Sequence, residues 1–195
     1  MHIYVDDMLV TGNNDTEITF VLKQLHSTFL LKDLGDLNFF LGIEAVTHSP
    51  NLISLNQSKY IKELLYRTGM QDAKPVSTPM IGSSKLSTNT GTPFEDPTSF
   101  RSIVGELQYV TVTRPDIVFA VNKLNQFMSK PSQDHWMAPK RVLRYLAGTV
   151  DLALQFYKTN DLRLTAFSDS DWTADVDDRR FVFGYCVYFI ANLIF

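Results

Sequence analysis

A chain of 195 residues with 45% hydrophobic content and a formal charge of −3 can bury an ordinary core in one or two small domains. One cysteine, Cys186, excludes an internal disulfide, and His2, His26, His48 and His135 have no zinc-ligand spacing. No signal-peptide pattern opens the chain, and the apolar run Phe181 to Phe195, interrupted by Gly184 and Asn192, is shorter than the ~20 residues of a spanning helix. That run reads as strands, so an intracellular protein without a membrane segment is expected.

Along the chain, Tyr4-Val5-Asp6-Asp7 comes first. Its flanks, Ile3-Tyr4-Val5 and Met8-Leu9-Val10-Thr11, are β-branched and aromatic, which places the two carboxylates at the tip of a tight hairpin. Adjacent carboxylates at such a tip suit Mg²⁺, which takes oxygen ligands and usually one or two carboxylates plus substrate phosphates. The same four letters also suit a solvated turn. Asp15 can cap a helix whose stripe of Ile18, Val21, Leu22, Leu25 and Phe29 reads as core. After a turn at Leu34-Gly35-Asp36, Asn38 to Val46 and Leu52 to Leu55 read as strands joined by His48-Ser49-Pro50-Asn51. Gly42, without a Cβ, permits a close approach or eases a bend.

A helix capped by Asn56 or Ser58 carries Tyr60, Ile61, Leu64 and Leu65 and stops at Gly69. Residues 71–98, with Pro75, Pro79, Pro93 and Pro97, read as a loop or tether. A helix from Asp96-Pro97 turns Phe100, Ile103, Val104, Leu107 and Val110 inward. A second, opened by Arg114-Pro115, buries Ile117, Val118, Val121, Leu124, Phe127 and Met128. A third, Ser132 to Leu146, sets Lys140, Arg141 and Arg144 close together beside Tyr145, either a phosphate-contacting patch or a solvated face. Pro139 implies a kink or a late start, since an interior proline removes a backbone hydrogen bond.

The last stretch reads as a strand from Leu152 to Tyr157, a turn at Thr159-Asn160-Asp161 and a strand from Leu162 to Asp169, with Phe167 and Asp169 on one face. Residues 1–96 hold 7 basic and 11 acidic side chains, residues 97–168 hold 9 and 5, and residues 169–195 hold 2 and 5. A basic middle between acidic ends suits a middle that tracks phosphate and ends that bind metal, although modest asymmetry occurs in many proteins.

Taken in order, YVDDMLVTG, KDLGDLNFFLGIE from Lys32, SKYIKELL from Ser58, KPVSTPM from Lys74, FRSIVGELQYV from Phe100, TRPDI from Thr113, KRVLRYLAGT from Lys140 and FSDSDW from Phe167 closely resemble the reverse transcriptase and RNase H region of copia-type LTR retrotransposon polyproteins. The resemblance implies an α+β chain: the end of a polymerase palm (1–55), a helical thumb and connection (56–150), and the first strands of an RNase H-like domain (151–195). It implies RNA-directed DNA synthesis with Mg²⁺, or Mn²⁺, held by Asp6 and Asp7, and a primer grip at Phe39, Phe40, Leu41 and Gly42. Lys140, Arg141 and Arg144 are the expected nucleic-acid contacts, and Asp169 with Asp171 the expected ligands of the RNase H site. Partners would be an RNA template with a DNA primer, or an RNA–DNA hybrid.

The pattern departs from the family at Pro139 and at Phe181-Val182-Phe183, where small hydroxylated residues are usual. Asp175, Asp177 and Asp178 read as a solvated loop. A palm needs a further carboxylate on a strand before the hairpin, and RNase H needs acidic partners beyond Phe195. The 195 residues alone are therefore expected to be an inactive fragment. The other expectations are a nucleic-acid-binding remnant without chemistry and an unproductive relic of a decayed element.

Overall fold

Two short strands, β1 (His2–Tyr4) and β2 (Asp7–Leu9), open the chain as a hairpin in the computed structural model, which describes residues 1–81, 86–87, 91–171 and 182–194. Helix and antiparallel sheet are mixed throughout, as expected of an α+β chain. α1 (Asp15–Thr28) is capped by Asn14 and not by Asp15: the Asn14 side chain accepts from the amides of Thr16 and Glu17 at 3.0 and 3.5 Å. Its apolar stripe is not core. No residue of α1 is buried; Val21 and Phe29 are exposed, and Ile18, Leu22 and Leu25 are half-buried. Periodicity proves an apolar face, but it does not say what covers that face.

The expected strand from Asn38 to Val46 is instead a tight hairpin, β3 (Phe39–Phe40) and β4 (Ile43–Ser49), turning at Leu41 and Gly42. β4 continues into β5 (Leu52–Asn56), and β5 pairs antiparallel with β6 (Leu154–Tyr157) from about a hundred residues later, Leu52 opposite Tyr157 and Leu55 opposite Leu154. So β6 pairs backward and not with the strand that follows it. β7 (Leu164–Asp171), β8 (Val182–Phe189) and β9 (Asn192–Leu193) form a separate three-stranded sheet. Asn192 links the two sheets: its side chain accepts from the Tyr157 amide at 2.7 Å and donates to the Tyr157 carbonyl at 2.9 Å, standing in for a backbone partner.

The core is helical. α2 (Ser58–Arg67) contributes Ile61, Leu64 and Leu65, and α3 (Pro97–Val110) the five residues its spacing predicted. A 3₁₀ turn (Pro115–Ile117) and α4 (Val118–Asn125) add Ile117, Ala120, Val121 and Leu124, followed by Phe127; Val118, expected inside, is exposed. α5 (Gln133–Ala147) brings Val142, Leu143 and Leu146, and packs against α2, α3 and α4. α5 starts where its sequence suggests and runs unbroken past the buried Pro139. A reciprocal cap secures its start: Ser132 Oγ accepts from the His135 amide at 3.4 Å while His135 Nδ1 accepts from the Ser132 amide at 3.0 Å. His135 Nε2 donates to the Ser87 carbonyl at 2.9 Å and its ring stacks on Phe127, so this fully buried histidine is a structural residue. At the other end of α2, Gly69 takes φ +64, the left-handed stop expected of a C-terminal glycine.

Candidate active site

The β1–β2 hairpin turns on Val5 and Asp6, with Tyr4 opposite Asp7. Val5 has φ 49, an unusual conformation for a β-branched side chain. Asp6 therefore sits on the turn and Asp7 begins β2, both exposed to solvent. Two adjacent oxygen donors with open space around them match what Mg²⁺ takes from a protein. Among the described residues, no three His, Cys, Asp or Glu side chains gather in a metal-holding group. Asp169 lies on β7 opposite Gly184, exposed, with its carboxylate accepting from the Ser170 amide at 2.9 Å. It belongs to a different sheet from Asp6 and Asp7. The backbone of Asp171 ends β7, but its side chain lies outside the described part, as do Asp175, Asp177, Asp178 and Phe181.

The Phe39-Phe40-Leu41-Gly42 segment is held from the helical side. Leu41 and Gly42 both have positive φ, 51 and 81. The Tyr109 hydroxyl of α3 donates to the Leu41 carbonyl, and a Cβ on Gly42 would stand 3.5 Å from that hydroxyl. The close approach that glycine permits is thus made by a phenol. Phe39 remains half exposed with Lys59 Nζ 5.7 Å from its ring centre.

The three cations of α5 are not a free patch. Lys140 Nζ lies 5.3 Å from the Trp136 ring centre. Arg141 donates to Thr78 Oγ1 at 2.8 Å, and Arg144 donates to the Lys74 carbonyl at 2.7 Å. The two arginines thus fasten the proline-containing segment 74–78 onto α5. Replacing both with alanine is expected to release that segment, read as faster protease cleavage within residues 71–81; an unchanged cleavage pattern would show that other contacts hold it. Tyr145, expected beside the patch as a stacking ring, instead donates to Asp116 Oδ2 at 2.8 Å.

That bond belongs to a network the sequence does not announce. Arg114, 1% exposed, meets both oxygens of Asp116, from Nε at 3.0 Å and Nη2 at 2.7 Å. The same guanidinium donates to the Thr149 carbonyl and to Thr149 Oγ1, each at 2.8 Å. Burial pushes the Asp116 carboxyl up, but hydrogen bonds from Arg114 and Tyr145 outweigh it and hold the group below its ordinary value of 3.8.

A family model described as reverse transcriptase (RNA-dependent DNA polymerase) matches residues 1–82. The chain is 50% identical over 188 residues to the Retrovirus-related Pol polyprotein from transposon RE2 of Arabidopsis thaliana, 96% of this chain and 13% of that protein. It is 38% identical over 200 residues to the Pol polyprotein from transposon TNT 1-94 of Nicotiana tabacum, 98% of this chain and 15% of that one. An uncharacterized mitochondrial protein of Arabidopsis thaliana is 45% identical over 193 residues, 98% of this chain and 79% of the relative. The chain belongs to the copia-type retrotransposon Pol family.

The copia-type chain thus spans about an eighth of the length of the curated Pol polyproteins it matches. Reverse transcriptases as a family use divalent metal ions such as Mg²⁺ and bind nucleic-acid templates. No solved structure matches it. Among the described residues, no helix is long and apolar enough to cross a membrane. Tyr109 and the Arg114 network were missed in the sequence because their partners, Leu41 and Thr149, lie 68 and 35 residues away in the chain.

Proposed function

We propose that the chain is the closing part of a copia-type reverse transcriptase palm with its thumb and connection and the opening of an RNase H-like domain, in the divisions 1–55, 56–150 and 151–195. Asp6 and Asp7 would hold Mg²⁺, which, when bound, supplies positive charge to the phosphoryl group in transfer. The hairpin that exposes both carboxylates, Asp6 on its two-residue turn and Asp7 at the start of β2, carries this reading. Phe39 to Gly42 would seat the primer end, and Asp169 with Asp171 would begin the RNA-cleaving site. The 195 residues alone do not catalyse. Among the described residues no third acidic group is fixed beside these two exposed carboxylates, and metal-assisted phosphoryl transfer needs such a preorganised shell.

The expected outcome is no primer extension on an RNA template with Mg²⁺ or Mn²⁺. Template-dependent incorporation that Asp6→Asn abolishes would overturn the inactive reading and leave the palm assignment standing. A non-catalytic nucleic-acid binder is the second reading, favoured by the 9 basic against 5 acidic side chains of residues 97–168. Its affinity for an RNA–DNA hybrid would fall steeply as salt rises. Binding that ignores salt, or none at low salt, would remove that second reading.

A further inference from the structure

The turn at Leu41 and Gly42 is not encoded by its own residues. Two-residue hairpin turns with positive φ at both positions favour Asn-Gly or Asp-Gly, because a side chain bearing a Cβ rarely adopts the left-handed region. Here the first position is a leucine at φ 51. Its conformation must be held by contacts from elsewhere. Those contacts come from α3 and α2. The Tyr109 hydroxyl donates to the Leu41 carbonyl, the phenol edge lies 3.5–3.6 Å from where a Gly42 Cβ would be, and the ring meets Tyr60 edge-on at 5.1 Å and 79°. Tyr60 thereby fixes the direction in which the phenol points.

We propose that Tyr109 is a positioning residue for the Phe39-to-Gly42 turn, locking the strained Leu41 carbonyl so that Phe39 and Phe40 are presented to a nucleic-acid primer end. This rests on the reading of that turn as a primer seat. Burial, and then the neighbouring Tyr4, raise the Tyr109 hydroxyl above its ordinary 10.0, so it stays a donor across the working pH range. Small misplacements of a positioning group are costly, since productive geometry is narrow.

Tyr109→Phe keeps the ring and removes only the donor. The full 195-residue chain is bound to an RNA template carrying a DNA primer with a photoreactive 3′-terminal base, and crosslinks are mapped by peptide. Tyr109→Phe is expected to cut crosslinking through residues 39–42 about fivefold and to speed amide exchange across residues 40–44 about tenfold, the scale of one lost hydrogen bond. Exchange at Val104 and Leu107 in the α3 core should not change, which separates positioning from unfolding. Gly42→Ala, which strains the same turn through its own backbone at φ 81, is expected to lose the same crosslinks. Wild-type crosslinks through 39–42 that Gly42→Ala loses and Tyr109→Phe keeps would overturn the role of Tyr109 alone. A wild-type chain that crosslinks only elsewhere would overturn the primer-seat reading itself, and this proposal with it.

Discussion

Asp116→Ala is expected to destabilise the chain by about 3 kcal/mol, the low end of the cost of breaking a buried ion pair from one side. Arg114 is 1% exposed, and its guanidinium would keep only the Thr149 carbonyl and hydroxyl as hydrogen-bond partners. Tyr145, whose ring lies 5.5 Å from the Arg114 guanidinium, would lose its acceptor at the same time. The low end is appropriate because the Asp116 side chain is itself 34% exposed, and water can reach the vacated site. Urea denaturation at pH 7 measures this as a shifted midpoint at unchanged slope. A loss under about 1 kcal/mol would mean that solvent replaces the carboxylate, against the cost expected for a buried charge left unpaired.

The same pair fixes a pH dependence. The Asp116 carboxyl is held below 3.8 in the folded chain, so its stabilisation is complete above the unfolded value and is lost as pH falls through the folded one. The stability gap between the wild type and Asp116→Asn should therefore be constant near neutrality and shrink as the pH drops below about 4. A gap that stayed constant down to pH 2.5 or so would show that the carboxylate's charge is not what Arg114 uses.

Much of the fold could be read locally. The five apolar positions of α3 recur at helical spacing and all five are buried; the β-branched flanks of the YVDD segment were enough to read a hairpin, with Asp6 on its turn and Asp7 opening β2. What stayed hidden depends on partners distant in the chain. Leu41-Gly42 does not look like a hairpin turn, because the residue that stabilises it is Tyr109 on α3. Nothing local in Arg141 and Arg144 reveals that each also reaches back to the segment before α3, to Thr78 and to the Lys74 carbonyl. The stripe of α1 looks like core because periodicity is blind to whether a covering surface exists. Pro139 sits inside an unbroken α5 although local propensity counts against it, with tertiary packing of the helix's buried face on the other side of the balance.

The pairing of β6 with β5 leads to the second large effect. A chain ending at Gly148 is expected to be largely unfolded, whereas one ending at Asn160 should keep its helical core. The shorter chain loses Thr149, which accepts two hydrogen bonds from the buried Arg114, and Val150, whose carbonyl accepts from Ser58 Oγ at 3.0 Å. It also loses β6, leaving one edge of β5 unpaired along Leu52 to Leu55, and the hydrogen bond that the Lys158 amide donates to the Asn51 carbonyl. Two bonds to a buried cation, at roughly 1.5–3 kcal/mol each, approach the whole stability of a small domain. The longer chain keeps all of these and gives up only the three-stranded sheet with its Asn192 clamp on Tyr157, a residue already exposed enough for water to replace the lost partner. Removing the exposed Leu164, Phe167, Phe183 and Tyr185 should also make the longer truncation less prone to aggregate than the full chain. Circular-dichroism melts and light scattering of the three chains test both points. A cooperative melt of the chain ending at Gly148 at the same temperature as the one ending at Asn160 would show that the helices close without β6, and that Arg114 finds other partners for its two lost bonds.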